Sequence, residues 1–328
     1  MNILYAIQGT GNGHMSRAVE VGPILEKHGK VDYMVSGAQV DINLDKEIKY
    51  KSKGLGFYFG KKGGVDISQT ILKNASKRLY REIKDFPIEK YDLIINDFEP
   101  VTAWSAKIKR KPCVALSHQS ALLSKKSPKP THKDPFGKMI INKYAPATKH
   151  YGFHFSSFDN NIFTPIVKKE IRSKEPKNFG HYTVYLPAYD DEALIGALHG
   201  INVKWEVFSK HTKRSYDHKN ISIRPINSAA FAESITTSAG VLCGAGFETP
   251  SEALYLGKKL MVIPMKNQYE QYCNAAALEQ MGIPVINRIN AAAVTEINKW
   301  VERGAPLQID YPDETESIID TIIAEQLN

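Results

Sequence analysis

Cysteine is scarce in this sequence. The 328 residues include three, Cys113, Cys243 and Cys273, far apart and without a Cys-x-x-Cys pair. That excludes a disulfide-framed small fold and a thiolate zinc site, and leaves buried thiols in a reducing compartment as the expectation. Long apolar runs are missing too: no stretch approaches the ~18 residues of a membrane span. The chain starts directly on "NILYAIQG", with neither a basic lead nor a small-residue cleavage site, so no signal peptide is read. Acids run short in one segment. Residues 101–150 hold eleven Lys or Arg against the single acid Asp134, which makes the segment +10 in a chain of +8 and leaves about −2 for the rest. Such an excess suits an anionic lipid surface, a polyanionic acceptor or nucleic acid. No aromatics alternate with these lysines, which argues against single-stranded nucleic acid. A solvated lysine-rich surface is the competing reading.

What is present is ordinary in amount and regular in order. Hydrophobic residues make up 42% and charged residues 24%, as in soluble globular proteins, and the length suggests two domains of roughly 150 residues. "NILYAIQ" reads as a buried strand, "MSRAVEVGPILEKHG" as a helix ending at Gly29, and "VDYMVSG" as a second strand. Ile67, Ile71, Leu72, Leu79 and Ile83 give residues 66–84 helical spacing. "YDLIINDF" and "PCVALSHQ" read as strands around the helix "PVTAWSAKIK", and residues 124–135, rich in Lys, Pro, Ser and Thr, as a loop. The alternation restarts at "HYTVYLP" and continues through "NVKWEVFS", "NISIRPI", "SAAFAESITTS", "AGVLCG", "KLMVIP" and "EQYCNAAALEQMG". Two such series predict an α/β protein of two Rossmann-like, doubly wound domains facing each other across a cleft. The expected division is an acceptor-side domain over 1–165, a linker over 166–180, a donor domain over 181–310, and a C-terminal helix over 311–328 that packs back on the first domain.

Three constellations carry candidate chemistry. In "GTGNGHMSRA" the glycines at 9, 11 and 13 miss the spacing of a dinucleotide fingerprint, and the second strand ends in Ser36 and Gly37 rather than an acid. No Lys-Ser or Lys-Thr follows, so a P-loop is excluded as well. What remains is a turn in which Gly11 and Gly13 let backbone N–H groups approach a ligand while His14 sits near a helix start. A histidine there can act as a base if a partner orients it. Asp97 and Glu99 in "NDFEP" stand where a strand gives way to a helix; either orients an imidazole or caps the helix at Pro100. His118 and Gln119 end the next strand and are expected to face the same cleft, where His118 either touches an acceptor or serves as a structural polar cap. In the second half, "GAGFETPSEALYLGKKLMVIPMKNQYEQYCNA" places Gly244, Gly246, Phe247, Glu248 and Thr249 at a helix start suited to a diphosphate. Glu252 lies one turn later, suited to two ribose hydroxyls. Glu270 and Gln271 open a further helix, where they can meet hexose hydroxyls, and Asn274 lies one turn on.

At these residues the sequence resembles GT-B nucleotide-sugar glycosyltransferases, and is similar to the family 28 group with its MurG-type enzymes and UDP-glycosyltransferases. The resemblance implies an inverting, metal-independent hexosyltransferase that takes an NDP-sugar, UDP-linked by expectation, as co-substrate and uses no other cofactor. It implies His14 as base and Asp97 as its orienting acid, Gly246 and Thr249 at the donor diphosphate, Glu252 at the ribose, Glu270 and Gln271 at the sugar, and Asn274 as support. Glu99, His118 and Gln119 are the acceptor-side candidates. The absence of an Asp-x-Asp triplet fits a transfer without a metal. Where related enzymes carry His or Arg this chain has Gly244; His181, Arg214 and Arg224 are candidates for the missing cation, and Glu248 beside a diphosphate is unfavourable unless it points away. Residues 225–231 are expected along the base pocket. The acceptor is expected to be a glycan, lipid-linked or small molecule of cell-envelope glycoconjugate type, met in the cytoplasm at the inner face of a membrane through Lys and Arg of 107–149. The alternatives are a sugar-nucleotide 2-epimerase or hydrolase on the same fold, or a non-catalytic nucleotide-sugar-binding subunit.

Overall fold

The apolar run that opens the chain forms β1 (Asn2–Thr10), in which Ile3, Leu4, Tyr5, Ala6 and Ile7 are all fully buried. A parallel strand covered on both faces reads as a continuous run of this kind rather than an alternation. The computed structural model describes residues 1–39, 44, 46–54 and 76–327. After β1 come α1 (Asn12–Glu26), β2 (Lys30–Gln39), β3 (Ile48–Ser52), α2 (Ser76–Asp85), β4 (Leu93–Asp97), α3 (Pro100–Ile108), β5 (Val114–Ser117), the helical turn α4 (His118–Ala121), α5 (Pro135–Lys143), β6 (Lys149–Phe153) and β7 (Ile162–Phe163). These strands make one parallel sheet in the order β3-β2-β1-β4-β5-β6-β7.

Following α6 (Lys169–Arg172), the second series is β8 (His181–Tyr185), α7 (Asp191–Leu198), β9 (Lys204–Ser209), β10 (Tyr216–His218), β11 (Ile221–Pro225), α8 (Ser228–Thr237), β12 (Gly240–Gly244), α9 (Glu248–Tyr255), β13 (Lys259–Ile263), α10 (Tyr269–Gln280), α11 (Ala291–Arg303) and α12 (Thr315–Leu327). Its sheet runs β10-β11-β9-β8-β12-β13, parallel except for the antiparallel pair β10–β11. The expected pair of doubly wound α/β sheets is therefore present. Strand order reverses between β1 and β4 in one sheet and between β8 and β12 in the other. Crevices for ligands open outside the carboxyl ends at such switch points, which here carry Thr10 and Asp97 on one side and Tyr185 and Gly244 on the other. No helix among the described residues is long and apolar enough to cross a membrane.

Several elements differ from their reading in the sequence. α1 starts at Asn12, not Met15, because Gly11 at φ 96° completes the turn out of β1 in one residue. Gly13 and His14 therefore stand in the first turn of the helix. β5 stops at Ser117, whose hydroxyl accepts from the Ser120 N–H at 3.1 Å and caps α4, so His118 and Gln119 leave the strand for a helical turn. The loop read over 124–135 hides the start of α5, where Asp134 caps through the Gly137 N–H at 2.8 Å and Pro135 takes the first helical position. α2 carries Leu79 and Ile83; Ile67, Ile71 and Leu72 lie outside the described residues.

The end of the chain returns to the beginning. α12 packs on α1 with Ile318, Ile319, Ile322 and Ile323 buried. Lys27 meets Glu316 at 2.5 Å and His28 meets Asp320 at 2.8 Å along the rim of this contact. Exposed pairs of this kind contribute little, whereas each buried isoleucine contributes through transfer and packing. Ile322→Ala is accordingly expected to cost about 2–5 kcal/mol in urea denaturation, and Lys27→Ala less than about 1 kcal/mol.

Candidate functional site

Five consecutive residues, Asn96 to Pro100, build the floor of the cleft. The Asn96 amide donates to the Glu99 carbonyl at 2.8 Å and its oxygen accepts from the Glu99 N–H at 2.9 Å, which folds the chain tightly after β4. Phe98 takes the left-handed backbone region at φ 57°, a strained position for a bulky side chain of the sort that collects at functional sites. Its ring lies parallel to His14, with centroids 6.4 Å apart, and stacks on Tyr144 at 4.8 Å. Glu99 turns away from the cleft. It is fully buried, caps α3 by accepting from the Val101 and Thr102 N–H groups at 2.7 Å each, and also binds the Thr102 hydroxyl. The expectation that Glu99 faces an acceptor is thus corrected: its oxygens serve the helix start, the other role open to an acid before Pro100.

Asp97 is the centre of the arrangement. Its carboxylate is fully buried; Oδ1 lies 2.8 Å from His14 Nδ1 and accepts from Arg17 Nη2 at 3.0 Å, and Oδ2 accepts from Arg17 Nε at 2.8 Å. Burial alone would push this carboxyl up, but Arg17 and His14 outweigh it and hold it below the ordinary carboxylate range. With a carboxylate opposite Nδ1, the Nδ1–H tautomer is favoured and Nε2 carries the lone pair. Nε2 has no hydrogen-bond partner among the described residues, and His14 lines a cavity.

Arg17 was missed in the sequence. It lies one helical turn after His14, on the same face of α1, and that i, i+3 spacing was the available signal. It is 4% exposed, and its remaining nitrogen, Nη1, donates across the cleft to Glu248 Oε1 at 2.9 Å. Glu248 thus points away from any ligand at the α9 start and toward the first domain, which removes the conflict its charge raised. Gly13 makes this possible: a Cβ there would lie 3.1 Å from Glu248 Cγ, tighter than ordinary contact. Gly13 serves this approach of the two domains, and its expected donor role has no counterpart in these contacts. At Gly246 no atom lies within 4 Å of where a Cβ would be, and no side-chain hydrogen bond caps the start of α9, where the Glu248 and Thr249 N–H groups lie in the first turn.

The other candidates separate into two groups. Gln119 and Glu270 line the cavity, and the Gln119 amide donates to Glu270 Oε2 at 2.9 Å across the cleft. Gln119 Oε1 is buried without a partner among the described residues. His118 does not reach the cavity. Its Nδ1 lies 2.7 Å from the Phe153 carbonyl and its Nε2 2.7 Å from Asn274 Oδ1, and its ring stacks on Phe247 with centroids 4.1 Å apart. It belongs to the seam between the domains. So do Phe247 and Asn274, whose amide also holds the Ala245 carbonyl at 3.0 Å. Gln271 accepts from the Met265 N–H at 2.8 Å and fixes the loop before α10 close to Gly244. Glu252 is 3% exposed, and Lys168 lies 2.8 Å from its carboxylate, so in this arrangement it pairs with a lysine the sequence did not single out. Thr249 sits in the first turn of α9, half-buried. Of the candidate cations, His181 lies at the amino end of β8, away from the switch point, with Nε2 3.1 Å from the Ser234 carbonyl. Arg224 pairs with Glu206 at 3.1 Å, and Arg214 lies in the exposed loop before β10.

The cavity measures about 390 Å³ and runs from His14, Gln8 and Thr10 out between Phe98, Phe136, Ile140 and Tyr269. A polar floor with apolar walls suits a ligand of drug-like size that carries a few hydroxyl groups. Among the described residues no group of three or more His, Cys, Asp or Glu is placed to hold a metal ion. Asp97 supplies a prediction. A depressed folded-state pKa stabilises the fold fully above the unfolded value, and the gain is lost as pH falls through the folded one. Asp97→Asn also leaves the buried Arg17 charge short of a partner, so it should cost about 3–5 kcal/mol in urea denaturation at pH 7. The gap between variant and wild type should narrow as the pH falls below about 4.

Comparison with known proteins places this geometry. The family model described as glycosyl transferase family 1 matches residues 1–303. No curated protein sequence matches the chain. Among solved structures, Arabidopsis thaliana UGT89C1 complexed with UDP is similar at 13% identity and a TM-score of 0.62, with all of both chains covered. Acinetobacter baumannii MurG is similar at 13% identity and a TM-score of 0.57, covering 99% of this chain and 100% of its own. The glycosyltransferase VinC in complex with dTDP is similar at 10% identity and a TM-score of 0.53, covering 99% and 95%. At these identities the likeness is one of fold, and it identifies the pair of facing doubly wound sheets as GT-B.

Proposed function

The chain belongs to glycosyl transferase family 1, and from that premise we propose that it transfers a hexose, with inversion, from a nucleoside-diphosphate sugar to an acceptor hydroxyl in the cavity above His14. The observation that carries this reading is the divided histidine: Nδ1 on the buried carboxylate of Asp97, Nε2 opening on a cavity between two GT-B sheets. Nε2 takes the proton of the acceptor hydroxyl as its oxygen attacks the anomeric carbon. The bond from that carbon to the diphosphate breaks on the opposite face, and the nucleoside diphosphate leaves with the electron pair. Asp97 stays ionised and stabilises the imidazolium that forms.

The N–H groups at the start of α9, with Gly246 leaving room for close approach, support the diphosphate site and a transfer in which helix dipole and backbone donors do the work of a cation. Glu270 and the unpartnered oxygen of Gln119 are the groups to read sugar hydroxyls, with Gln271 holding the loop behind them. UDP in one structural neighbour and dTDP in another make a pyrimidine nucleotide the expected donor base. His14→Ala should abolish transfer, a loss of at least about 10²–10⁴-fold, while a thermal-shift panel of UDP-, dTDP- and GDP-sugars gives the same stabilisation as in wild type. Turnover that survives the change rules out His14 as the base.

The acceptor side supports an apolar or lipid-linked acceptor met by a cytoplasmic enzyme at an anionic surface. α5 exposes Phe136 and Met139 beside Lys133, Lys138 and Lys143, and Phe136 also walls the cavity. Apolar side chains flanked by cations suit a headgroup layer. Liposome sedimentation should rise with the anionic lipid fraction and fall for Lys138→Glu combined with Met139→Ser; indifference to lipid charge overturns the membrane reading.

A further inference from the structure

The base described above shares its carboxylate with a guanidinium, and that has an electrostatic consequence. Arg17 grips both oxygens of Asp97 through Nε and Nη2, and the latter nitrogen also lies 3.3 Å from His14 Nδ1. A buried Asp97–Arg17 pair sums to zero charge. Taking up a proton at His14 would leave that group of three at +1, inside a protein where burial penalises net charge. Bare Asp97 would stabilise an imidazolium; Asp97 neutralised by Arg17 does so far less. The missing negative charge comes from the other domain, where Glu248 Oε1 accepts from Arg17 Nη1 at 2.9 Å. With Glu248 ionised the four groups stand at −1 before proton transfer and at zero after it.

We infer that Arg17 and Glu248 are positioning residues for the transfer: Arg17 fixes the plane of Asp97 toward His14, and Glu248, carried on the donor domain, restores the basicity of His14 when the two domains are seated together. The inference rests on the reading of His14 as base. It extends that reading by making the base depend on an acid from the opposite domain. One further observation points the same way: Gly13 leaves the space that Glu248 occupies against α1, so the contact is built on both sides. Burial, opposed by Arg17 and reinforced by Glu252, lifts the Glu248 carboxyl to about 7, so its charge is in place above neutral pH and is lost as the pH falls below it.

The charged and titratable groups around this cluster are few. From β1, Tyr5 buries a hydroxyl that feels Asp97, Arg17 and Glu248 and that burial keeps neutral. Lys168 and Glu252 act on Glu248 from behind with opposite signs. Glu270, Asp134, His132 and Lys133 line the same cavity as His14. From the second domain, Glu248 makes a hydrogen bond to the Arg17–Asp97 pair.

Glu248→Gln tests the inference, because the amide oxygen can still accept from Arg17 Nη1 while the charge is gone. Two measurements are made on the full chain. NMR titration of His14 in the unliganded protein should show its protonation midpoint lowered by about one pH unit relative to wild type. The pH profile of kcat should show its acid limb moved down by a similar amount and a plateau roughly tenfold lower, with KM for the donor unchanged. A glutamate that only fastened the domains together would raise KM or lower stability and leave the His14 midpoint where it was. An unchanged or raised midpoint overturns the inference. A lowered midpoint in a protein whose wild type transfers no sugar upholds the electrostatic assignment and lays the failure on the proposed reaction.

Discussion

The site depends on one constraint: a carboxylate with no solvent exposure must be neutralised where it stands. Asp97 ends a strand buried on both faces, so water cannot carry its charge. Arg17 does so with two of its nitrogens, which fixes the rotation of α1 about its own axis. With α1 fixed, His14, one turn earlier on the same face, has Nδ1 on Asp97 and its far side toward the cavity. The third guanidinium nitrogen then needs an acceptor, and the nearest one belongs to the other domain. A single buried acid thus orders the helix, aims the imidazole and reaches across the cleft.

The same economy shows in how the two domains meet. The seam behind the cavity is made of His118 stacked on Phe247 and hydrogen-bonded to Asn274, with Gln119 on Glu270 beside it. At the cavity wall, Gly137 of α5 lies so close to Tyr269 of α10 that a Cβ there would overlap the tyrosine Cβ. Groups that would bind ligand in isolation are occupied by the opposite domain, and those left over, His14 Nε2 and Gln119 Oε1, belong to residues lining the cavity. The geometry around His14 and the contact between the domains are therefore one structure. Separating the domains would remove Glu248 from Arg17 and Glu270 from Gln119 together.

Much of this was legible in the sequence, for identifiable reasons. Alternating strands and helices produce two doubly wound sheets because the apolar runs are short, numerous and separated by turn residues. The helix start at Glu248 was visible because it follows a strand through a glycine-rich turn, and its proposed donor role rests on the order of glycine, threonine and glutamate there. The partnership of His14 with Asp97 was legible only by resemblance, since 83 residues separate them. Arg17 and Lys168 were not legible: each is an ordinary basic residue until folding removes its solvent. The roles of Glu99 and His118 were misjudged for the same reason. A polar residue at a strand end faces a cleft or a cap equally well in sequence, and only the turn made by Asn96 in one case, and the cap made by Ser117 in the other, decides between them.

The glycines of "GTGNGH" show how far spacing can mislead. Taken alone they suggest a loop wrapped around phosphate. In the fold they do two other things. Gly11 adopts a backbone angle that lets a helix begin one residue after a strand ends, which puts His14 in the first turn rather than on a loop. Gly13 has no side chain, so the acid of the opposite domain can lie against α1 and reach Arg17. A flexible loop around a phosphate would need neither feature. A helix that must present a histidine to one side and admit a carboxylate on another needs both, and the start of α9, where no side chain caps the first turn and Gly246 has open space, is the place proposed for the diphosphate.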